Sequence, residues 1–416
     1  MTYKPRLLDA ELRQRMKSVG AILIEGPKAC GKTEMATQVS KSIVNFDTDA
    51  SIHAKMQFDP YLVLSSETPI LLDEWQTYSE IWNYVRREVD RRKQAGQFIL
   101  TGSATPDDDV RRHSGVGRFS IIKLNTMSLY EMGWSTEETS LRNILNGEKP
   151  LSASVEFSLP DFAEKIMFGG WPALINKNVA DARQFSKDYI NLIAETDISK
   201  VSNTRRDPVK VKRLLQSVAR NISTEATIAT LTADTNGEDG MLDVNTVSDY
   251  LDTLKRLMII KDQPAWSTHI RSSHQLRKTP KRHFADPSLC IGALNLSIDD
   301  LVHDINYLGL LFESLVIRDL NIYSEVLGAT VYHYRDSSGQ EVDAIIQQPN
   351  GQWSAFEIKL GLGAADEAAK SLLKFAQKID TQKQKPPTSL NIITGNGFAH
   401  QRKDGVNVIP ISTLML

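Results

Sequence analysis

Residues 21–33 read AILIEGPKACGKT. Residues 21–25 are a short apolar run, and Gly26-Pro27-Lys28-Ala29-Cys30-Gly31-Lys32-Thr33 follows without a break. Residues 34–41 have the composition of a helix. Strand, glycine-bounded loop and helix start, in that order, is the context that gives G-x-x-x-x-G-K-[ST] its physical meaning. Gly26 and Gly31 let the backbone turn so that main-chain amides converge on phosphate oxygens, and the helix start adds partial positive charge. Lys32 is then placed to reach the β- and γ-phosphates, and Thr33 to hold a magnesium ion. The expected cofactors are ATP and Mg2+, with Gly26 through Thr33 as the cradle.

Three further segments complete such a site. Residues 69–74, PILLDE, form an apolar strand ending in two acids. Asp73 would hold magnesium through its water shell, and Glu74 would orient or deprotonate the attacking water. Alone, Asp-Glu after a strand serves equally as a capped loop; the upstream loop tips the reading. Residues 97–100 predict a third strand leading into Thr101-Gly102-Ser103, where a polar tip residue would sense the γ-phosphate. Ser103 is the choice, with Thr101 the alternative and a turn requiring Gly102 the structural counterpart. Arg118 follows Gly115-Val116-Gly117 and precedes a strand over 119–124. It could contact a γ-phosphate in its own subunit, or a neighbour's within a homo-oligomer; an exposed loop arginine is the plain alternative. Residues 79–95 predict a helix burying Ile81, Trp82, Val85 and Val89, with Arg86, Arg87, Arg91, Arg92 and Lys93 on a solvated face.

The chain has 416 residues, enough for two or three domains, and is 41% hydrophobic and 24% charged, which are globular values. Net charge is −2, so any nucleic-acid surface must be local. No apolar run reaches membrane-spanning length, and residues 1–20 lack the apolar stretch of a signal peptide. Cys30 and Cys290 lie far apart and outside any metal spacing. A cytoplasmic setting without a membrane partner is expected.

Taken together, GPKACGKT, ILLDEWQ, FILTGSA and SGVGRFSIIKLNTMSLYEMG, then FGGWPALI, TVSDYLDTLKRLMII, LLFESLVIRDL, EVDAII and FEIK, resemble the bacterial and archaeal AAA-type ATPases that end in a domain of unknown function of the DUF4143 type. The resemblance runs through nearly the whole chain. It implies an ATPase module and a C-terminal part similar to the restriction-endonuclease fold. Cys30 departs from it, since a small residue is usual there; oxidation at that position would block nucleotide.

Residues 152–200 are mostly helical, with Gly169-Gly170-Trp171-Pro172 as a sharp corner. Helices over 209–221 and 245–257 and a strand over 257–261 suggest a winged helix-turn-helix. Asp249 and Asp252 on the second helix oppose phosphate contact. Residues 269–284, HIRSSHQLRKTPKRHF, carry Arg271, Arg277, Lys278, Lys281 and Arg282 without an acid, a candidate DNA or RNA contact or else a solvated linker.

Residues 341–359 read as a hairpin turning at Pro349-Asn350-Gly351. Folded about Asn350, it sets Asp343 opposite Glu357, with Lys359 on the same face. Glu313 from a helix over 310–320, Asp343, Glu357 and Lys359 then match the layout of the restriction-endonuclease superfamily. There, carboxylates grip magnesium and the lysine activates water. A salt bridge among Glu341, Glu357 and Lys359 would satisfy the same residues without catalysis.

The expected architecture is α/β: a P-loop three-layer ATPase module over 1–150, a helical and winged-helix middle over 151–265, and a restriction-endonuclease-like α/β domain over 266–416. The expected function is an Mg-dependent ATPase whose nucleotide state controls a C-terminal nucleic-acid-binding or nuclease domain. The alternative is an ATP-gated protein-interaction switch with an inert nuclease-like domain.

Overall fold

Segments of Ile, Leu, Val and Phe too short to alternate belong in a sheet covered on both faces. Five such segments pair in parallel: β1 (Ala21–Glu25), β2 (Ser42–Asn45), β3 (Ile70–Asp73), β4 (Phe98–Gly102) and β5 (Phe119–Lys123). Their order is β2-β3-β4-β1-β5. The computed structural model describes residues 3–103, 114–202, 206–237, 240, 242–267 and 279–416. The three inner strands are almost wholly buried, whereas the edge strands expose Ile43 and Ile121. Since all five run the same way, Glu25, Asp73 and Gly102 finish on one edge of the sheet, where ligands of open α/β sheets bind.

Two elements around this sheet differ from expectation. The helix after the loop spans Lys32–Thr37, starting earlier and stopping sooner than 34–41. The residues beyond it turn into β2, whose single buried residue, Val44, gives no readable periodicity. The helix Ile81–Arg92 buries Ile81, Trp82 and Val85 as expected, and also Glu88. That carboxylate binds Arg91 and Arg92 at 2.7 Å each, so part of the basic run neutralises an internal acid.

The chain packs as two compact units. One comprises Met1–Thr126, Asp197–Arg205 and Asp252–Ile259; the other comprises Met127–Thr196, Arg206–Leu251 and Ile260–Leu416. Apart from Asp197–Arg205 and Asp252–Ile259, residues 151–265 thus lie in the same unit as 266–416. The reason is visible at Gly292, where an added Cβ would lie 2.3 Å from the Ser186 carbonyl oxygen. The helix Ser288–Leu294 thus touches the helix Val179–Leu192 backbone to side-chain root.

Helices Pro208–Arg220 and Ile228–Asp234 of the second unit precede a helix over Val244–Arg256, which starts in that unit and whose residues from Asp252 on belong to the first. An antiparallel hairpin, β6 (Ile260–Gln263) with β7 (Lys281–Phe284), comes next. The strand starts later than expected because Met258 adopts a left-handed φ of 58°. The helix Ile305–Leu327 leads into β8 (Thr330–Arg335), β9 (Glu341–Gln347), β10 (Trp353–Lys359), β11 (Leu390–Thr394), β12 (His400–Gln401) and β13 (Asn407–Pro410). These form a six-stranded mixed sheet ordered β8-β9-β10-β11-β13-β12. The helix Ala365–Lys378 covers it with Ala368, Ala369, Leu372 and Phe375 against Ile345, Trp353 and Ile392.

The Gly169-Gly170-Trp171 corner is fixed by burial. A Cβ on Gly170 would meet Met127 O at 2.0 Å, and one on Gly169, at φ 61°, would meet Asp286 Oδ1 at 2.2 Å. Gly170 N donates to Asp286 (2.9 Å) and Trp171 Nε1 to Ser288 Oγ (2.8 Å).

Candidate functional sites

At the end of β1 the loop Gly26–Thr33 closes tightly. Gly26 is required by a close approach: its Cβ would fall 2.1 Å from Leu124 O. Gly31 is left-handed at φ 98°, the region glycine enters without strain. Lys32 is buried, and its Nζ donates to Gly26 O and Pro27 O, each at 2.9 Å. Thr33 Oγ1 donates to Asp73 Oδ1 at 2.9 Å, and Thr101 donates to the same oxygen. A hydroxyl and a carboxylate converging from two elements are the oxygen donors a magnesium ion takes, so Thr33 and Asp73 fit the expected metal.

One residue further along, Glu74 sits at φ 52°. Its Oε2 accepts from Ser103 Oγ (3.1 Å) and from the Gln76 amide. The β3–β4 register sets Asp73 beside Thr101, so the two strand tips carry alternating jobs: Thr101 holds Asp73, and Ser103 holds Glu74. Gln76 Oε1 is buried without a hydrogen-bond partner among the described residues. It is a polar atom beside Glu74 with capacity for a water. Gly102 is the residue that admits this glutamine, since its Cβ would lie 2.5 Å from Gln76 Oε1.

Sequence reading missed three participants here. Gln76 is one. Asp197 is another: it binds the loop's Lys28 at 2.6 Å from a segment 169 residues away. The third is Arg6, buried, donating to Cys30 O (2.8 Å), Asn125 O (2.8 Å) and Thr126 O (3.2 Å). Arg6 pins the loop to the end of β5. Arg6→Ala would strand three carbonyl oxygens, and roughly 2–3 kcal/mol of stability should be lost together with nucleotide affinity. Chemical denaturation and a nucleotide titration check this. Cys30 is fully buried, so oxidants do not reach it in this state.

Arg118 needs correction. It precedes β5 at the end where Ala21 N binds Arg118 O, opposite the loop. The five residues of β1 separate it from Gly26, roughly 16 Å at strand rise. Its guanidinium pairs with Asp90 at 2.9 Å. It cannot touch phosphates bound by its own chain.

In the second unit the β9–β10 ladder pairs Ala344 with Phe356 and Gln347 with Trp353, the expected register. Against β8, Asp343 and Ala344 together oppose His333, a bulge of the kind that re-aims a side chain. Asp343 Oδ2 accepts from Ile358 N (2.8 Å) and pairs with Lys359 Nζ (3.3 Å). Glu357 pairs with Lys359 at 2.7 Å. Glu341 turns away to Arg335 (3.2 Å), so the expected alternative bridge through Glu341 does not form. These residues line an open cleft of about 380 Å³ together with Ser338, Gln340, Ser371 and Lys374.

Lys281 also enters this cluster, at 2.7 Å from Glu313 Oε1 and 3.5 Å from Asp343 Oδ1. The exposed basic stretch read over 269–284 is thereby corrected at its described end. Lys281 and Arg282 are buried in β7, and Arg282 binds Ala226 O; Arg271, Arg277 and Lys278 lie outside the described residues. Burial and then Asp343 push Glu357 up to about 8 and Glu313 up to about 7. Burial also works against ionised Asp343, but the ammoniums of Lys281 and Lys359 and the Ile358 N–H outweigh it and hold the carboxyl below its ordinary value. Among the described residues no group of three or more His, Cys, Asp or Glu is arranged to hold a metal.

His283, two residues on, is buried against Ser314 (3.2 Å) and Gln263 (3.2 Å). Burial, then Lys281 and His333, push it down to about 3 from 6.5. Between those values the unfolded chain binds a proton that the folded one refuses. Its stabilisation is complete above 6.5 and lost as pH falls toward 3. Relative to His283→Gln, the wild type should lose up to about 1.4 kcal/mol per pH unit on acidification below that point. Urea unfolding at a series of pH values reads the difference.

Among the described residues no helix is long and apolar enough to cross a membrane. Residues 18–133 match the family model of an AAA domain. Residues 159–300 match a domain of unknown function, DUF8612, and residues 308–414 another, DUF4143. Uncharacterized proteins of Mycobacterium tuberculosis and Mycobacterium bovis are each 25% identical over 367 residues, covering 86% of this chain and 74% of theirs. A Walker-type ATPase of Pyrococcus abyssi aligns in structure with TM-score 0.43 and 11% identity, over 70% of this chain and 96% of its own. The family models thus place an AAA domain in the part of the chain that holds the parallel sheet and its glycine-bounded loop, and a DUF4143 domain at the C-terminal end.

Proposed function

We propose that the first unit binds ATP with magnesium and hydrolyses it, and that its nucleotide state governs a C-terminal part whose target is nucleic acid. The observation that carries the first half is the contact of Thr33 with Asp73 at 2.9 Å, one residue before Glu74 and beside the closed loop. The metal supplies charge neutralisation for the triphosphate. Lys32 adds a cation to the loop amides, Thr33 and Asp73 hold the metal, and Glu74, fixed by Ser103 and Gln76, takes the proton of the attacking water. Arg118 serves, on this reading, only a neighbouring subunit's nucleotide in a homo-oligomer. The test is ATP turnover by the wild type with magnesium, with EDTA, and with single- or double-stranded DNA added. Magnesium-dependent turnover that DNA alters supports the whole reading; absence of both binding and turnover removes it.

The three helices followed by the β6–β7 hairpin support a winged-helix reading of the middle, although Asp249 is paired with Arg206 and sits where phosphates would be met. A second reading is favoured by Lys281. With an ammonium between Glu313 and Asp343, the nuclease-like part is catalytically inert and the protein is an ATP-gated interaction switch. Incubation with plasmid and single-stranded DNA in magnesium or manganese, compared with Asp343→Ala and Lys359→Ala, separates the two: metal-dependent nicking lost in both variants supports a nuclease.

A further inference from the structure

We propose that the ammonium of Lys281 takes the divalent-cation position between Glu313 and Asp343, behind the C-terminal cleft that Asp343 lines, so that this site carries its own cation where the nuclease-like layout calls for a metal. The inference rests on that layout of Glu313, Asp343, Glu357 and Lys359, and is independent of the nucleotide chemistry of the first unit.

The position of Lys281 is set by backbone, not by a wandering side chain. It lies at the start of β7, paired with Gln263 of β6. Gln263 in turn donates from Nε2 to Asp343 O (2.9 Å) and Tyr332 O (3.1 Å), fastening the hairpin to β9 and β8. The side chains of Lys281, Glu313 and Asp343 are 9%, 13% and 10% exposed. A lysine so placed cannot leave for solvent while the hairpin stays paired.

A divalent ion shared by Glu313 and Asp343 would lie about 2.0–2.6 Å from an oxygen of each. Lys281 Nζ stands 2.7 Å and 3.5 Å from those two oxygens, so ammonium and metal exclude one another. The second oxygen of Asp343 is already committed to Ile358 N and Lys359, and Glu357 to Lys359. Three carboxylates are thus served by two ammoniums. The expected magnesium does not fit this donor set as it stands, which leaves the cleft without the ion that phosphodiester hydrolysis would need.

The proposal predicts that neutralising Lys281 creates a metal site. Mn2+ binding to the full chain is measured by electron paramagnetic resonance without nucleotide, in an Asp73→Asn background so that no ion is counted at the phosphate loop. Lys281→Met should bind one Mn2+ at least roughly tenfold more tightly than this parent, and adding Asp343→Asn should remove the gain. If Lys281→Met does not fold, Lys281→Gln, neutral yet still able to donate to Glu313, carries the comparison. The parent against its Asp343→Asn derivative needs no change at Lys281: Mn2+ binding by the parent that Asp343→Asn abolishes overturns the proposal. So does a folded Lys281 variant that gains nothing. ATP binding by protein with Asp73 intact is read separately; its failure would remove the ATPase reading and leave this one standing.

Discussion

Glu74→Gln is expected to bind ATP with magnesium as the wild type does and to hydrolyse it about 10²–10³-fold more slowly, a positioned general base being worth that order. The loss corresponds to roughly 3–4 kcal/mol of barrier. Geometry makes the separation of binding from turnover sharp. Glu74 touches neither Lys32 nor Thr33; its carboxylate is occupied by Ser103 Oγ and the Gln76 amide. Glutamine can still accept from Ser103, so the strand tips stay in place while the proton acceptor disappears. Lys32→Ala acts on the other quantity, removing the ammonium that the loop encloses, and ATP binding itself should vanish. A fluorescent-nucleotide titration beside single-turnover hydrolysis reads both. Wild-type turnover by Glu74→Gln would mean that Asp73, Thr101 or a distant residue handles the proton.

The parts of this site legible in the sequence are those whose chemistry is local in the chain. A loop spelled by eight consecutive residues and an acid pair closing an apolar strand can be read off because strand, turn and helix fix their side chains relative to each other. The hairpin is legible for the same reason: its turn residues set the register that brings Asp343 across from Glu357. What cannot be read is what arrives from elsewhere. Arg6 reaches Asn125 O across 119 positions, and Lys281 reaches Asp343 across 62. Lys281 and Arg282 are the instructive failures. A cation-rich stretch without acids reads as solvated or phosphate-facing, because the carboxylates that bury it lie on another strand and another helix. Only Phe284, closing β7, hints at burial, and four residues carry too little period to decide. Arg118 fails differently, since glycines before an arginine say that it is free to move but not which end of a parallel sheet it occupies.

Arg318 should be the most damaging single substitution of the second unit. Its guanidinium, 3% exposed, binds Asp286 at 2.9 Å and Asp319 at 2.7 Å, both fully buried. Each carboxylate is also a tether: Asp286 accepts from Gly170 N and Ser288 N, and Asp319 from Leu129 N. Three distant segments therefore meet on one planar cation, which alone has the fork to serve two carboxylates at once. Arg318→Met leaves both acids buried without their counter-charge, and removing one partner of a buried ionic set costs about 3–5 kcal/mol. Arg318→Lys should recover only part, because a point charge cannot hold both. Burial already raises Asp319 above its ordinary value, whereas Arg318, Gly170 N–H and Ser288 outweigh burial at Asp286 and hold it low. Acidification should accordingly relieve Arg318→Met, Asp319 protonating first, while the wild type gains nothing comparable. Urea unfolding of the second unit at neutral and at mildly acidic pH, with Asp286→Asn and Asp319→Asn combined in turn with Arg318→Met, tests this. A neutral-pH loss under about 1 kcal/mol, or no relief from either asparagine, would show that the three segments are held by packing around Trp171 and not by the ionic knot.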